Sequence, residues 1–324
     1  MMRLQKLASF LLITVIVFQM SSCKTSQAVG DTIDPLKASG GSSGMELLSE
    51  QSYVVVYDAK NFQEGARIAT IKVTDETIKV SPITITEWGS EGISSDLESI
   101  CKIPGTTNEY LMAESGNWKG DLGRIFHIKI NTEKHTAILL GTTKLPFKSI
   151  NNLEVVGDQY EAMACLPYSE TERILLLGER GGSDVNPRGV IRWGVYNLKT
   201  HTLQLSDAGS KGITINAPGN WTDQKNKRDI TDFHIDTEGG IWAAASEDTS
   251  DQGPFYSVIY KLGEVNTSNK EQPFTIYKDF STWTPVSGFK VEALSGPSSH
   301  INCTLSFGTE DEIYGGVWRA ISIK

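Results

Sequence analysis

A similar segment returns four times between residues 96 and 310, and this repeat constrains the fold more than any other feature. Asp96-Leu97-Glu98-Ser99-Ile100-Cys101-Lys102-Ile103-Pro104 precedes the apolar run Tyr110-Leu111-Met112-Ala113-Glu114. Tyr160-Glu161-Ala162-Met163-Ala164-Cys165-Leu166-Pro167 precedes Ile174-Leu175-Leu176-Leu177-Gly178-Glu179. In both copies Pro follows the first Glu by six positions, and a second Glu closes the next run. Looser copies lead from Asp232 to Glu247 and from Glu292 to Glu310. The leading acids are thus Glu98, Glu161, Asp232 and Glu292.

The rest of the chain after about residue 50 consists of short apolar runs separated by Gly, Asn, Asp, Ser and Pro. Tyr53–Tyr57, Tyr110–Ala113, Arg124–Ile130, Arg173–Leu177 and Ser257–Leu262 have strand length and strand composition. No amphipathic helix of three turns stands out, so the fold class is all-β. A repeat of this size holds four antiparallel strands and cannot bury both faces alone; such units stack radially as blades. The expected architecture is a β-propeller, with five blades favoured and six as the alternative, and a sandwich as a lesser one. Asp236-Thr237-Glu238-Gly239-Gly240 has the residues of a tight hairpin turn. Only 32 residues follow Glu292, enough for about three strands. An N-terminal strand, over Tyr53 to Asp58, is therefore expected to close the last blade.

The N-terminus addresses location. Arg3 and Lys6 precede an apolar stretch from Leu7 to Met20, and Ser21-Ser22-Cys23 follows at once. That is the layout of a secretory signal, too short for a comfortable membrane span. The small residues before Cys23 resemble the lipobox of bacterial lipoproteins. The resemblance implies a signal over residues 1–22, lipidation at Cys23, and a membrane partner through that anchor. It further implies a place in the bacterial cell envelope, outer membrane favoured, facing periplasm or exterior. Ordinary cleavage, leaving Cys23 a thiol, is the other reading. Residues 23–45, with Gly40-Gly41-Ser42-Ser43-Gly44, read as a flexible tether, which puts the propeller at 46–324. Cys101, Cys165 and Cys303 read as small buried side chains; one disulfide is compatible with them, and the pair is undetermined. A formal net charge of -9 without a basic run argues against nucleic acid as a partner. The chain is expected to be monomeric.

Four acids meeting at an axis repel unless something neutralises them. One remedy is a bound Ca²⁺, a hard cation that takes six to eight oxygens, held by Glu98, Glu161, Asp232 and Glu292. The other is that these acids cap strand ends, or that Lys and Arg lie nearby. Glu114, Glu179, Glu247 and Glu310 suggest a second acidic layer. Trp118, Lys119, Asp121 and Arg124, then Arg180, Asp184, Arg188 and Arg192, follow two of its members. Of these, Trp118, Lys119, Arg180 and Arg188 are candidates for binding a small anionic ligand or a glycan. Trp242 and Trp318 read as core, and Trp221 as either a stacking platform or loop packing. His127 reads as a solvent-facing strand position. His234, two residues after Asp232, is the best histidine for proton transfer. No zinc pattern, nucleophile elbow or phosphate-binding glycine loop occurs.

Glu98-Ser99-Ile100 and Glu161-Ala162-Met163-Ala164, each followed by Pro and an apolar run ending in Glu, resemble the repeated units of phytase-like esterase propellers. The acid placement is also similar to that of calcium-activated nucleotidases, five-bladed propellers with an axial Ca²⁺. Ser99 and Ala162 replace the glycine of those units, and the third copy carries Asp232-Phe233. The resemblance implies a Ca²⁺-dependent hydrolase of phosphorylated small molecules, with Glu161 or His234 as base. A lactonase-type ester hydrolase and a non-enzymatic glycan- or protein-binding propeller are the alternatives, since propellers host all three.

Overall fold

The computed structural model describes residues 41–323, apart from 75–77, 91, 117–122, 147, 151–152, 157–158, 270 and 298–301. Residues 1–40, and with them Cys23, lie outside the described residues, as do Trp118 and Lys119.

Each run singled out in the sequence forms a strand. β1 (Gly44–Ser49), β2 (Ser52–Val56), β3 (Ile68–Val73) and β4 (Ile78–Ile85) make one antiparallel unit. β5 (Leu97–Lys102), β6 (Glu109–Glu114), β7 (Arg124–Asn131) and β8 (Thr136–Lys144) make the next, joined to the first by a short parallel pairing of β4 with β8. A hairpin, β9 (Lys148–Ile150) and β10 (Leu153–Val156), intervenes. The third unit is β11 (Tyr160–Pro167), β12 (Glu172–Glu179), β13 (Gly189–Asn197) and β14 (Thr202–Leu205), with β15 (Ile213–Ile215) also paired to β13. The fourth is β16 (Lys227–Ile235), β17 (Gly240–Glu247), β18 (Tyr256–Val265) and β19 (Phe274–Ile276), with β20 (Trp283–Ser287) also paired to β18. β21 (Val291–Ser295), β22 (Leu305–Thr309) and β23 (Trp318–Ile321) complete the set. A five-residue α-helix, Asp207–Lys211, is capped by Ser206.

These units are blades. Their first strands pack side by side in the cyclic order β1, β5, β11, β16, β21 and back to β1. β5, β11, β16 and β21 are buried along most of their length and β1 at Gly44 and Met45, whereas an outer strand such as β8 is mostly half-buried or exposed. No ladder bonds join neighbouring first strands, so apart from the β4–β8 pairing side-chain packing holds blade to blade. Five apolar clusters do this, one per junction. Val56, Ile83, Leu97 and Phe126 fill the first, and Ile103, Leu111, Met163 and Leu175 the second. Leu176, Trp193, Ile230 and Tyr260 fill the third. Trp242, Ile259, Leu294 and Phe307 fill the fourth, and Met45, Tyr57, Ala293 and Trp318 close the ring. The all-β propeller expected from the repeat is the fold, with five junctions.

The closure differs from expectation. Tyr53 to Asp58 belongs to β2 and its continuation in the first blade, so the last blade has three described strands of its own. The N-terminal chain still latches it: the Ser42 amide donates to Thr309 O at 3.1 Å. The Tyr53 hydroxyl donates to Gly296 O at 3.1 Å and meets Ser306 Oγ at 3.0 Å. Ser42, Ser43 and Met45 are buried there, so the end of the expected tether is part of the folded domain. The turn at Asp236 forms as expected, with Gly239 at φ 88° and the Trp242 indole donating to Asp236 Oδ2 at 2.8 Å. His127 is not solvent-facing: it is buried, its Nε2 lying 3.3 Å from Glu109 Oε2.

The second acidic layer is structural. Glu114 is fully buried against Arg124, with Oε1 to Nη2 at 2.5 Å and Oε2 to Nε at 3.0 Å. Glu179 grips Arg192 at 2.6 and 3.1 Å. Glu247 accepts from the Thr222 hydroxyl and from the amides of Thr222 and Asp223. Arg124 and Arg192 are thus held inside their blades. Removing one partner of a buried pair strands the other charge. Arg124→Ala is expected to lower the unfolding free energy by about 3–5 kcal/mol, read from the denaturant midpoint. Arg124→Met combined with Glu114→Gln is expected to recover part of that loss.

Candidate functional site

Three of the four leading acids do meet at one end of the axis, and a backbone irregularity aims them. In β5 the pairing with β6 slips between Leu97 and Ser99, which leaves Glu98 unpaired. The same slip isolates Glu161 between Tyr160 and Ala162, and Glu292 between Val291 and Ala293. A bulge of this kind turns one side chain off the alternation of its strand. Glu98, Glu161 and Glu292 are 8%, 3% and 3% exposed, and burial plus mutual repulsion act on Glu98 and Glu161 alike.

Asp232 does not belong to this set. Lys227 and Arg228 pair with Glu247 and Ser246, and the slip follows them. Arg228 therefore takes the place that Glu holds in three other blades. Asp232 lies deeper in the channel, accepting from the Leu294 amide at 2.7 Å and the Phe233 amide at 2.8 Å. It caps backbone of its own and the next blade, the bland alternative foreseen for these acids. In the first blade the place falls to Gly44, where a Cβ would stand 2.9 Å from Ser99 Cα and 3.1 Å from Glu98 O. That blade contributes Asp58 and Lys60 from the loop after β2.

Cations interleave the acids. Arg228 Nη1 lies 3.3 Å from Glu292 Oε1, and its Nη2 is hydrogen-bonded to Asp248. Lys290 Nζ lies 3.1 Å from Glu292, 2.8 Å from Glu310 and 2.5 Å from Glu312. Arg180 Nη1 lies 3.3 Å from Glu161. Lys60 is paired with Asp96, whose carboxylate also takes the Ser115 hydroxyl, and stands 3.8 Å from Asp58. Asp96 adopts φ 67°, a left-handed backbone unusual for a residue other than glycine. Side-chain exposure falls from 33% at Asp248 and 30% at Asp58, through 19% at Arg180, to 3% at Glu161. The ring is thus a funnel, wet at its rim and dry at its floor.

The electrostatics sort these groups. Burial, then the carboxylates of Glu161, Asp96, Asp58 and Glu292, push Glu98 well above the usual carboxylate range. Burial raises Glu161 as well, against the pull of Arg180 and Arg228. Asp58 is pushed up to about 6 by burial, with Lys60 opposing. Burial works against the charges of Arg228 and Lys290, but the surrounding carboxylates outweigh it and raise both. Among the described residues no cation lies within ion-pair distance of Glu98, although Lys60 feels its charge.

This arrangement does not fit an axial Ca²⁺. No group of three or more metal-ligating side chains forms among the described residues, Asp232 is occupied by amides, and Arg228 and Lys290 stand where a cation would. His234 also lies elsewhere. It lines a cavity of about 350 Å³ at the opposite mouth of the channel, beside Glu46, Cys101 and Cys165. Burial lowers it to about 4, which keeps the imidazole neutral at pH 7. Glu161 and His234, the alternative bases of the sequence reading, thus lie at different levels of the channel, about four residues or roughly 13 Å apart along the strands. Arg180 reaches the axial ring, whereas Arg188 points to a separate groove, with Nη1 2.8 Å from Asn216 Oδ1. Asp58, Lys60, Asp96, Arg228, Asp248 and Lys290 were missed. Only Asp96, two residues before Glu98, carried a signal, because it lies inside the recognised repeat.

No protein-family model matches the chain, and no curated protein sequence matches it. The resemblance to phytase-like esterases and calcium-activated nucleotidases therefore finds no support at the sequence level. Among solved structures, a thermostable family-43 glycoside hydrolase is 11% identical, with 88% of each chain covered and a TM-score of 0.48. A family-130 mannoside phosphorylase-type structure described as targeting β-1,2 mannosidic linkages in Candida mannan is 10% identical, with 93% and 92% covered and a TM-score of 0.47. An exo-β-1,3-galactanase variant from Phanerochaete chrysosporium is 11% identical, covering 93% of this chain and 66% of its own, with a TM-score of 0.48. Likenesses of this order carry no argument about chemistry.

Asp58 gives a direct check on the ring. Its pKa is raised on folding, so its neutral form is the one the fold prefers. The stability it contributes is complete below its unfolded pKa near 4 and is lost as pH rises through about 6. Melting curves from pH 4 to 7 are expected to show Asp58→Asn gaining on the wild type across that window and holding its advantage above it.

Proposed function

We propose that the axial funnel binds a glycan. The observation that carries this reading is the pairing of the cations. Lys60, Arg180, Arg228 and Lys290 each already contact a carboxylate, while among the described residues no cation lies within ion-pair distance of Glu98. Among the described residues of the ring, a phosphoryl ligand would meet cations already in contact with carboxylates and would approach carboxylates that are already crowded. A neutral sugar suits the ring better, because its hydroxyls donate to Glu161, Glu292 and Asp96 and accept from the arginines. Charge-assisted hydrogen bonds of this kind are stronger than neutral ones.

A second reading extends the first. Burial and the neighbouring carboxylates push Glu98 toward its acid form, and Asp96, two residues before it, is paired with Lys60 and takes the Ser115 hydroxyl. A carboxyl that favours its acid form, close to one that is ion-paired, is the raw material for general acid and base roles. Glycosidic cleavage is the reaction such a pair performs, with Glu98 giving its proton to the leaving oxygen.

Titration calorimetry against a panel of neutral oligosaccharides is the test. Glu161→Gln is expected to weaken the best ligand at least tenfold and Glu98→Gln to abolish any cleavage of it. Binding confined to phosphorylated compounds, with none to glycans, would reject the proposal. We also retain the anchor: Cys23→Ser is expected to move the protein from the membrane fraction to the soluble one, read by fractionation of the producing cell.

A further inference from the structure

Arg188 and Trp221, each a ligand candidate in the sequence, come together in one groove between the third and fourth blades. The groove has a volume of about 900 Å³ and runs from Lys227 to Phe280 at the outer edge. Lys227 forms its floor: it is 1% exposed, with Nζ 2.8 Å from Asp229 Oδ1 and 2.6 Å from Asn216 Oδ1. Arg188 donates to that same Asn216 oxygen at 2.8 Å, and among the described residues it contacts no carboxylate. Two cations thus converge on one neutral oxygen. Asp229 is committed elsewhere as well, accepting from the amides of Ala217 at 2.8 Å and Gly189 at 3.0 Å. One carboxylate for two cations leaves a local excess of positive charge. At the rim Lys278 and Asp279 offset each other.

The walls supply the second element. Trp221 is fixed by its indole donating to Ala217 O at 3.2 Å and by edge-on packing on Tyr256, with Lys227 Nζ 5.7 Å from its ring centroid. Tyr277 and Phe280 line the groove further out. We propose that this groove binds an acidic oligosaccharide, with a uronate carboxylate seated on Arg188 and sugar rings against the aromatic side chains. A planar guanidinium grips a carboxylate through two parallel hydrogen bonds, and a groove of this volume has the size of a ligand site. The proposal rests on Arg188 and its neighbours and is independent of the axial reading.

Titration with an oligogalacturonate and a glucuronate-bearing oligomer, each beside its methyl ester, tests it. The acid form is expected to bind at least tenfold tighter than the ester and to weaken with added salt. Arg188→Gln is expected to lose at least tenfold while keeping the wild-type melting temperature, since Arg188 is half-exposed. Binding of neither acid, equal binding of acid and ester, or an unchanged Arg188→Gln would overturn the assignment. Displacement by inorganic phosphate at equal concentration would overturn the choice of carboxylate.

A separate observation carries a second proposal. Cys101 Sγ and Cys165 Sγ lie 2.7 Å apart on β5 and β11, buried and facing each other across a blade junction. We infer that they are a disulfide site, reached through the cavity that both line. The two thiols give up two protons and two electrons to an external disulfide such as oxidised glutathione. Its S–S bond breaks to two thiols as the Cys101–Cys165 bond forms. Peptide mapping after oxidation is expected to show this cross-link, with a melting temperature raised by roughly 5–10 °C. The variant carrying both Cys101→Ser and Cys165→Ser is expected to lose the shift. Recovery of both cysteines as thiols after oxidation, or an equal shift in that variant, would overturn it.

Discussion

Everything in this propeller depends on apolar side chains packing one blade against the next. No ladder bond joins neighbouring first strands, so the ring stays closed through clusters such as Met45, Tyr57 and Trp318. Burial of that kind is strong and non-directional; it fixes how close the blades approach without dictating polar pairing. The direction comes from the bulges. Where β5, β11 and β21 slip against their partners, one side chain in each is released toward the axis.

Closing the ring then creates an electrostatic problem that the chain solves locally. Glu98, Glu161 and Glu292 are brought together in a site drier than the rim, where like charges are costly. The fourth blade answers with Arg228, the fifth with Lys290, the third with Arg180 and the first with Lys60. Among the described residues the site is left with alternating charge, with these cations in contact with carboxylates, and with one carboxyl, Glu98, pushed toward its acid form. That balance favours a ligand rich in hydroxyls over one rich in phosphate.

The same register logic explains where the sequence reading went astray. Counting acids placed Asp232 with the ring because its blade also begins with a short apolar run. The ladder shows that β16 starts earlier, at Lys227, and that Arg228 fills the shared position. Two extra residues in one bulge were enough to carry Asp232 down the channel and out of the site. His234 moved with it. Arg124 and Arg192 follow the second acidic layer beside the ligand candidates, yet each starts or enters a strand and turns inward to Glu114 or Glu179. His127 alternated with apolar residues and still proved buried, because Glu109 offers it a partner.

The sequence by itself determined the strands, the repeated unit and the radial stacking, because alternation, turn residues and repeat length are local properties of the chain. It also determined that carboxylates return once per unit. Only the tertiary structure decided which of them meet, since a side chain's aim depends on register and a one-residue slip reverses it. The cations were invisible for the same reason. Lys60, Arg228 and Lys290 come from blades far apart in sequence, and nothing short of ring closure brings them to one place.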